Sequence, residues 1–347
     1  MARLGAALLL AMTCAPALAG KPEGQGSAVV LMYHRVGEEQ RFETAISVAQ
    51  FEAHLSELTS GRYRVLPLTE IVGRLAEGPR LPERTLGLSF DDAFLSSYRT
   101  AWPRLRAAGL PVTLFIATDH IDQGLAAYMG WPELRALAAS GLVEIGLQGS
   151  AHGHLATQPL AAARDDIERA MARFTAELGR PPRLFSYPYG EYGLALRDLV
   201  AELGFEAAFG QQSGAFEASD DRFALPRFAI SRRHGGLERL RLMAGALPLP
   251  AADLSPRDPL LAAGENPPRF GFTLTAGAAS GPAVTCYADG RPVAVTLTGG
   301  SRLTVVLEEP FAAGRHRINC TQPGPEGRWR WRGALFTLPR ASEEGTD

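Results

Sequence analysis

Leu86-Gly-Leu-Ser-Phe-Asp-Asp-Ala-Phe94 is an apolar, strand-like run that ends in two adjacent carboxylates, Asp91 and Asp92. Short continuous apolar runs of this kind are the signature of strands buried on both faces. The two acids fall where such a strand leaves the core. Like charges there are costly unless a cation, a hydrogen-bond network or a shared proton compensates them. An Asp-Asp pair can also be a plain strand-end turn, because Asp commonly opens turns. The surrounding sequence has to separate these readings.

Strand-like and helical segments alternate on both sides of this run. Val29 to Val36 reads as a buried strand with His34 near its exit. Ser47 and Gln50 form a capping-box pattern ahead of a helix carrying Phe51, Leu55 and Leu58 on one face. Val112 to Ile116, Leu142 to Leu147, Leu184 to Tyr187 and Leu225 to Ile230 are further strand candidates. Helical patterns cover Ser97 to Ala108, Trp131 to Ala139, Leu160 to Leu178, Leu194 to Leu203 and Leu237 to Ala244. The acids Asp165, Asp166 and Glu168 of the long helix read as a solvated face. Repeated β and α elements predict a parallel sheet or barrel flanked by helices, with function at the carboxyl ends of the strands. Asp91, Asp92, His152, Pro188 and Tyr189 all fall at predicted strand ends.

The chain has 347 residues, 46% hydrophobic and 21% charged, an ordinary globular balance with room for two domains. The formal net charge of −2 gives no pointer to nucleic acid or to an anionic membrane surface. Residues 1–19 read as a signal peptide: Arg3 supplies the positive end, Leu4 to Met12 the apolar run, and Ala17-Leu18-Ala19 the cleavage site. That run is too short to span a membrane. The expected product is an exported protein, periplasmic or secreted. Removing the signal leaves Cys286 and Cys320, an even pair that suggests a disulfide in an exported chain.

Residues 20–247 form the predicted α/β domain. Residues 248–268 hold Pro248, Pro250, Pro256, Pro259, Pro267 and Pro268 and read as a linker. Residues 269–340 return to short strand-like runs separated by turns such as Asp289-Gly290, which predicts a small all-β, sandwich-like domain. Trp329 and Trp331, two apart on one strand face, can stack on sugar rings or pack in the core or a domain interface. Residues 341–347 read as a disordered tail.

Several segments resemble one family. Leu88-Ser-Phe-Asp91-Asp92 resembles the TFDDG motif of the polysaccharide deacetylases, the NodB-homology or carbohydrate esterase 4 family. Glu144-Ile-Gly-Leu-Gln148-Gly-Ser-Ala-His152-Gly-His154-Leu155 resembles that family's E-I-G-S-H-T-x-S-H-x-H-L segment, and Phe185-Ser-Tyr-Pro188-Tyr189-Gly190 its third motif. Val30-Leu-Met-Tyr-His34-Arg-Val36 and Leu225-Pro-Arg227-Phe228 resemble the subgroup of exopolysaccharide deacetylases acting on poly-N-acetylglucosamine. The resemblance implies a distorted (β/α) barrel and a hydrolase that removes acetyl groups, N-acetyl foremost, from an exported or cell-envelope polysaccharide. It implies a divalent metal, zinc first, on Asp92, His152 and the position of Gln148. It makes Asp91 the general base, places an oxyanion-holding N–H near Tyr189, and leaves His34 as the acid or a substrate contact. His154, Pro188 and Arg227 become supporting or substrate-contacting residues.

The family's His that protonates the leaving amine has no clear counterpart, and the sequence departs from the family pattern at three further places. Gln148 stands where the first metal-binding His is expected, and its neutral amide is a poor zinc ligand. Ala93 replaces the Gly after the acids, so a left-handed turn there would be strained. Ser186 replaces an Arg that often precedes the prolines of the third motif. Gln148 and Ala93 sustain an alternative: a glycan-binding protein on a deacetylase scaffold with impaired catalysis. A third reading is a structural exported protein with no glycan contact.

Overall fold

Ser27–Tyr33 and Thr85–Asp91 lie side by side as parallel strands, with Ala28 opposite Thr85 and Tyr33 opposite Phe90. A computed structural model describes residues 26–38, 40–77, 80–275, 277–279, 281 and 283–339. The predicted signal peptide 1–19 and tail 341–347 lie outside the described residues. All seven residues of Thr85–Asp91 are buried. That burial is what an apolar run in the middle of a covered parallel sheet requires.

The sheet runs in the order Ala215–Glu217, Ser27–Tyr33, Thr85–Asp91, Val112–Ile116, Val143–Leu147, Leu184–Ser186 and Ala207–Phe209. All neighbours on this path are parallel except Ala215–Glu217, which runs antiparallel to the first strand. The segment from Leu225 to Ala229 spans the gap between the two ends. Leu225 bridges Phe209, and Phe228–Ala229 pairs in parallel with Leu31 and Met32. Together these strands form a distorted (β/α) barrel. Of the predicted final strand Leu225 to Ile230, Phe228–Ala229 is the extended part.

Helix boundaries follow the local signals. Ser47 caps Val48–Leu58, and the capping box with Gln50 is formed. Leu160–Leu178 ends at Gly179, whose φ of 71° gives a left-handed cap. Ser97 to Ala108 is one helical stretch in two parts, a π-helical turn at Ser97–Ala101 and an α-helix at Trp102–Ala108.

Arg64–Val65 adds to Thr85–Asp91, Arg35–Val36 and Ala45–Ile46 pair by themselves, and a second sheet has eight strands in the order Leu247–Pro248, Trp329–Leu338, Gly314–Pro323, Thr285–Ala288, Arg291–Thr298, Arg302–Val306, Gly271–Leu274 and Ala251–Ser255. Its own core includes Phe270, Phe272, Ile318 and Phe336. Cys286 and Cys320 are direct cross-strand partners joined by a disulfide, as expected. Closing a loop of that length restricts the unfolded chain by about 3–4 kcal/mol.

The Pro-rich stretch 248–268 differs from the linker expected of it. Leu247–Pro248 and Ala251–Ser255 are the two edge strands of the second sheet. Proline is tolerated there because an edge strand has N–H positions that need no ladder partner. Gly214 bridges Arg332, Arg332 reaches Asp220 at 3.0 Å, and Trp331 packs edge-on against Phe228 at 5.1 Å. Trp331 is thus an interface residue, with its Nε1–H donating to Asn319, whereas Trp329 is 37% exposed.

Candidate active site

Asp91 ends its strand wholly inside the protein. Its two oxygens take Nη1 and Nη2 of Arg227 at 2.7 and 2.9 Å, and both residues are 0% exposed. Arg227 uses its remaining N–H groups on Ser89 Oγ, Ser186 Oγ and the Gly210 carbonyl. All five guanidinium donors are satisfied, which is the condition for holding such a pair without water. This explains Ser186. Arg227 supplies a guanidinium beside Ser186, and the Ser186 hydroxyl accepts from it. Arg227, expected to support the site or touch substrate, is fully buried and does not line the cleft.

Asp92 turns the other way, into the cleft. Its backbone N–H donates to the Phe115 carbonyl, and its Oδ1 takes His152 Nε2 at 3.1 Å and Gln148 Nε2 at 3.3 Å. Burial pushes the Asp92 carboxyl up. The His152 hydrogen bond, the His34 and His152 charges and the Gln148 amide outweigh that and hold it down at about 2. Burial lowers the His152 imidazole, but its bond to Asp92 and the charges of Asp92 and Asp91 raise it above the ordinary value.

The backbone that presents these groups is strained. Asp92, Ala93, His152 and Tyr189 have φ of 74°, 54°, 54° and 59°. Asp accepts the left-handed region readily, but Ala there costs about 1 kcal/mol relative to Gly. The conditional expectation for Ala93 is therefore met: the turn is left-handed. Strain concentrated in one place marks a constrained functional site.

The loop between Gln148 and His152 is fixed by a residue the sequence placed elsewhere. Asp166 is buried, and its carboxylate accepts the Ser150 and Ala151 N–H groups at 2.7 and 3.0 Å. It does not belong to a solvated face. Gly149, at φ 79°, leaves room for it: a Cβ there would lie 2.6 Å from Asp166 Oδ1. Helix periodicity alone does not separate a solvated acid from one that faces a loop across a narrow gap.

His34 lines the cleft together with Asp92, His152 and Tyr189. His154 does not. Its side chain is 59% exposed, donates Nδ1–H to Glu191 at 2.7 Å and stacks on the Tyr189 ring at 4.4 Å. Pro188 is buried and opens the short turn that carries Tyr189. His120 was not singled out from sequence, yet its ring lies 5.9 Å from that of His152, and its buried Nδ1 has no partner among the described residues. The small β domain also reaches the site. Arg315 donates to the Tyr189 carbonyl at 3.0 Å and lies over its ring.

The donor set does not fit the zinc site that the resemblance implies. Asp92 and His152 remain as donors. Gln148 directs its amide N–H at Asp92 and at the Phe115 carbonyl, at 3.1 Å. A carbonyl only accepts, so that contact fixes which end of the amide is nitrogen. The Gln148 oxygen is buried without a partner. Among the described residues, no three of His, Cys, Asp and Glu are grouped to hold a metal ion. No helix of the described chain is long and apolar enough to cross a membrane.

Residues 78–208 match the family model described as polysaccharide deacetylase. A poly-beta-1,6-N-acetyl-D-glucosamine N-deacetylase of Staphylococcus aureus is 23% identical over 232 residues, covering 60% of this chain and 80% of that protein. The structure of IcaB from Ammonifex degensii superposes with a TM-score of 0.54 at 25% identity, covering 63% of this chain and 98% of the other. The Streptococcus pyogenes deacetylase PplD, solved with acetate, has a TM-score of 0.59 at 18% identity, covering 64% and 99%.

Proposed function

The chain belongs to the polysaccharide deacetylase family, and from that membership we propose that it hydrolyses acetyl groups, N-acetyl foremost, on an exported or cell-envelope polysaccharide. The observation that carries this reading is the convergence of Asp92, His152, His34 and Tyr189 on one cleft, with Asp91 directly behind it. The name of the staphylococcal relative puts an N-acetylated glucosamine polymer first among substrates to try. Export rests on the signal-peptide pattern and on the disulfide, which persists in oxidising compartments.

The reaction adds water to the acetyl carbonyl, breaks the carbon–nitrogen bond and releases acetate and a free amine. Asp91 is the proposed base: bidentate pairing with Arg227 takes one lone pair from each oxygen and leaves another. The backbone N–H of Tyr189 is the proposed oxyanion donor and His34 the proposed acid toward the leaving amine. In the family a divalent metal supplies the activated water. The residues here do not fit it, so no step is assigned to a metal.

One observation favours a second reading. The Gln148 N–H bound to Asp92 occupies the direction in which a ligand lone pair would be needed. A protein that binds an acetylated glycan without turning it over follows from that geometry. Acetate release and glycan binding, measured beside metal content for the native chain and for Gln148→His, separate the two. Acetate release by the native chain supports hydrolysis. Binding without release, with activity gained in Gln148→His, supports the binder. Absence of binding and release in both proteins overturns both readings.

A further inference from the structure

We infer that the cleft selects a polysaccharide carrying acidic groups, an inference that rests on the polysaccharide reading above and narrows its substrate class. The cleft that holds Asp92 is also lined by Arg233 and Arg239 of the barrel and by Arg315 and Arg317 of the small β domain. Burial pushes the Arg239 guanidinium down from its ordinary value, with no acid offsetting it, and its buried Nε has no hydrogen-bond partner among the described residues. Arg317 is pushed down by burial and by the Arg315 charge, against the pull of Asp289. Both side chains remain cationic, because a guanidinium does not lose its proton in a protein.

Arg315 has a carboxylate within reach, Glu191 at 3.6 Å, but among the described residues the carboxylates that line the cleft form no ion pair with Arg233, Arg239 or Arg317. Asp92 is held by His152. Asp289 gives one oxygen to His316 and the other to the Arg317 backbone N–H. Glu43 is the third carboxylate lining the cleft. A partly buried guanidinium without a counter-carboxylate is unfavourable in the free protein. An oxyanion on the ligand, carboxylate or phosphate, would satisfy it through paired N–H donors. The arginines stand on two different domains across one cleft. A chain lying in it would thus meet cations from both domains while an acetylated sugar reaches Asp92 and His152.

The test uses soluble N-acetylated glucosamine oligomers in three forms: unmodified, 6-O-carboxymethylated and 6-O-phosphorylated. Binding to the full mature chain is measured by calorimetry. At low salt, at least one acidic form should bind about tenfold or more tighter than the neutral one, and the advantage should shrink as salt rises. Which acidic form binds tells carboxylate from phosphate. Arg239→Gln with Arg317→Gln should abolish the advantage and leave neutral binding unchanged. If that double variant does not fold, the salt dependence of the native chain still decides. Equal binding of all three forms overturns this inference and leaves the polysaccharide reading intact. Failure of all three to bind overturns both.

Discussion

Arg227 and Asp91 are 136 positions apart in sequence, yet they form a bidentate pair at 2.7 and 2.9 Å from which solvent is excluded. Removing one partner of such a pair strands a buried charge. Arg227→Met should lower unfolding free energy by about 3–5 kcal/mol, read from urea denaturation. The same reasoning covers Asp91→Asn, which leaves Arg227 without its anion. Loss of acetate release in Asp91→Asn counts as chemistry only if the variant keeps its urea midpoint. An unchanged midpoint in Arg227→Met would refute the pairing.

Asp166 carries the loop that holds both Gln148 and His152. Asp166→Ala removes two charge-assisted hydrogen bonds from the Ser150 and Ala151 N–H groups, a loss of about 2–4 kcal/mol. Gly149→Ala acts on the same contact from the other side, by steric conflict 2.6 Å from Asp166 Oδ1 and by the left-handed φ. Both variants should broaden or shift the His152 imidazole resonances in NMR. A native-like spectrum in either would show the loop to be held by something else.

Gln148→His replaces an amide that donates to Asp92 with an imidazole that can offer a lone pair beside Asp92 and His152. Metal content after dialysis against zinc should rise to about one ion per chain, as expected for a site with three protein ligands. Acetate release should rise with it by tenfold or more, a change that chelator reverses. Metal content equal to that of the native chain would place the obstacle elsewhere, with Ala93 the next residue to change.

His54 gives the fold a pH dependence remote from the cleft. It is fully buried, with Nε2 2.9 Å from the Gly235 carbonyl and Nδ1 3.0 Å from the Tyr33 hydroxyl. A carbonyl only accepts, so Nε2 carries the proton and Nδ1 accepts from Tyr33. Burial lowers the His54 pKa from 6.5, with the Gly235 hydrogen bond opposing. The unfolded chain therefore binds the extra proton first as pH falls. The contribution of neutral His54 is complete above about 6.5 and is lost as pH drops through the folded value. Urea midpoints should decline between pH 7.5 and 5, and His54→Asn should flatten that slope.

The barrel was legible because its strands are continuous apolar runs and its motifs fall at their ends. Thr85–Asp91, Leu160–Leu178 and Leu237–Ala244 lie where period and capping put them. The site was legible only where a motif marks it. Asp91, Asp92, His152 and Arg227 come from short segments that resemble a family's motifs, whereas Asp166 and Arg315 reach the site by tertiary contact and carry no local signal of it. Nor does composition reveal that proline-rich 248–268 contributes sheet edges, since proline density marks a lost donor and not a lost strand.

Arg315, fastened to the carbonyl of Tyr189, has one more consequence. The small domain is not an appendage that could be trimmed to leave a working barrel. Its edge strand Leu247–Pro248 directly follows the barrel's last helix, its Trp331 packs on Phe228, and its arginine steadies the turn beside His152. Two sheets that differ in architecture should therefore melt as one cooperative unit. The chain would give a single calorimetric transition, with van't Hoff and calorimetric enthalpies that agree.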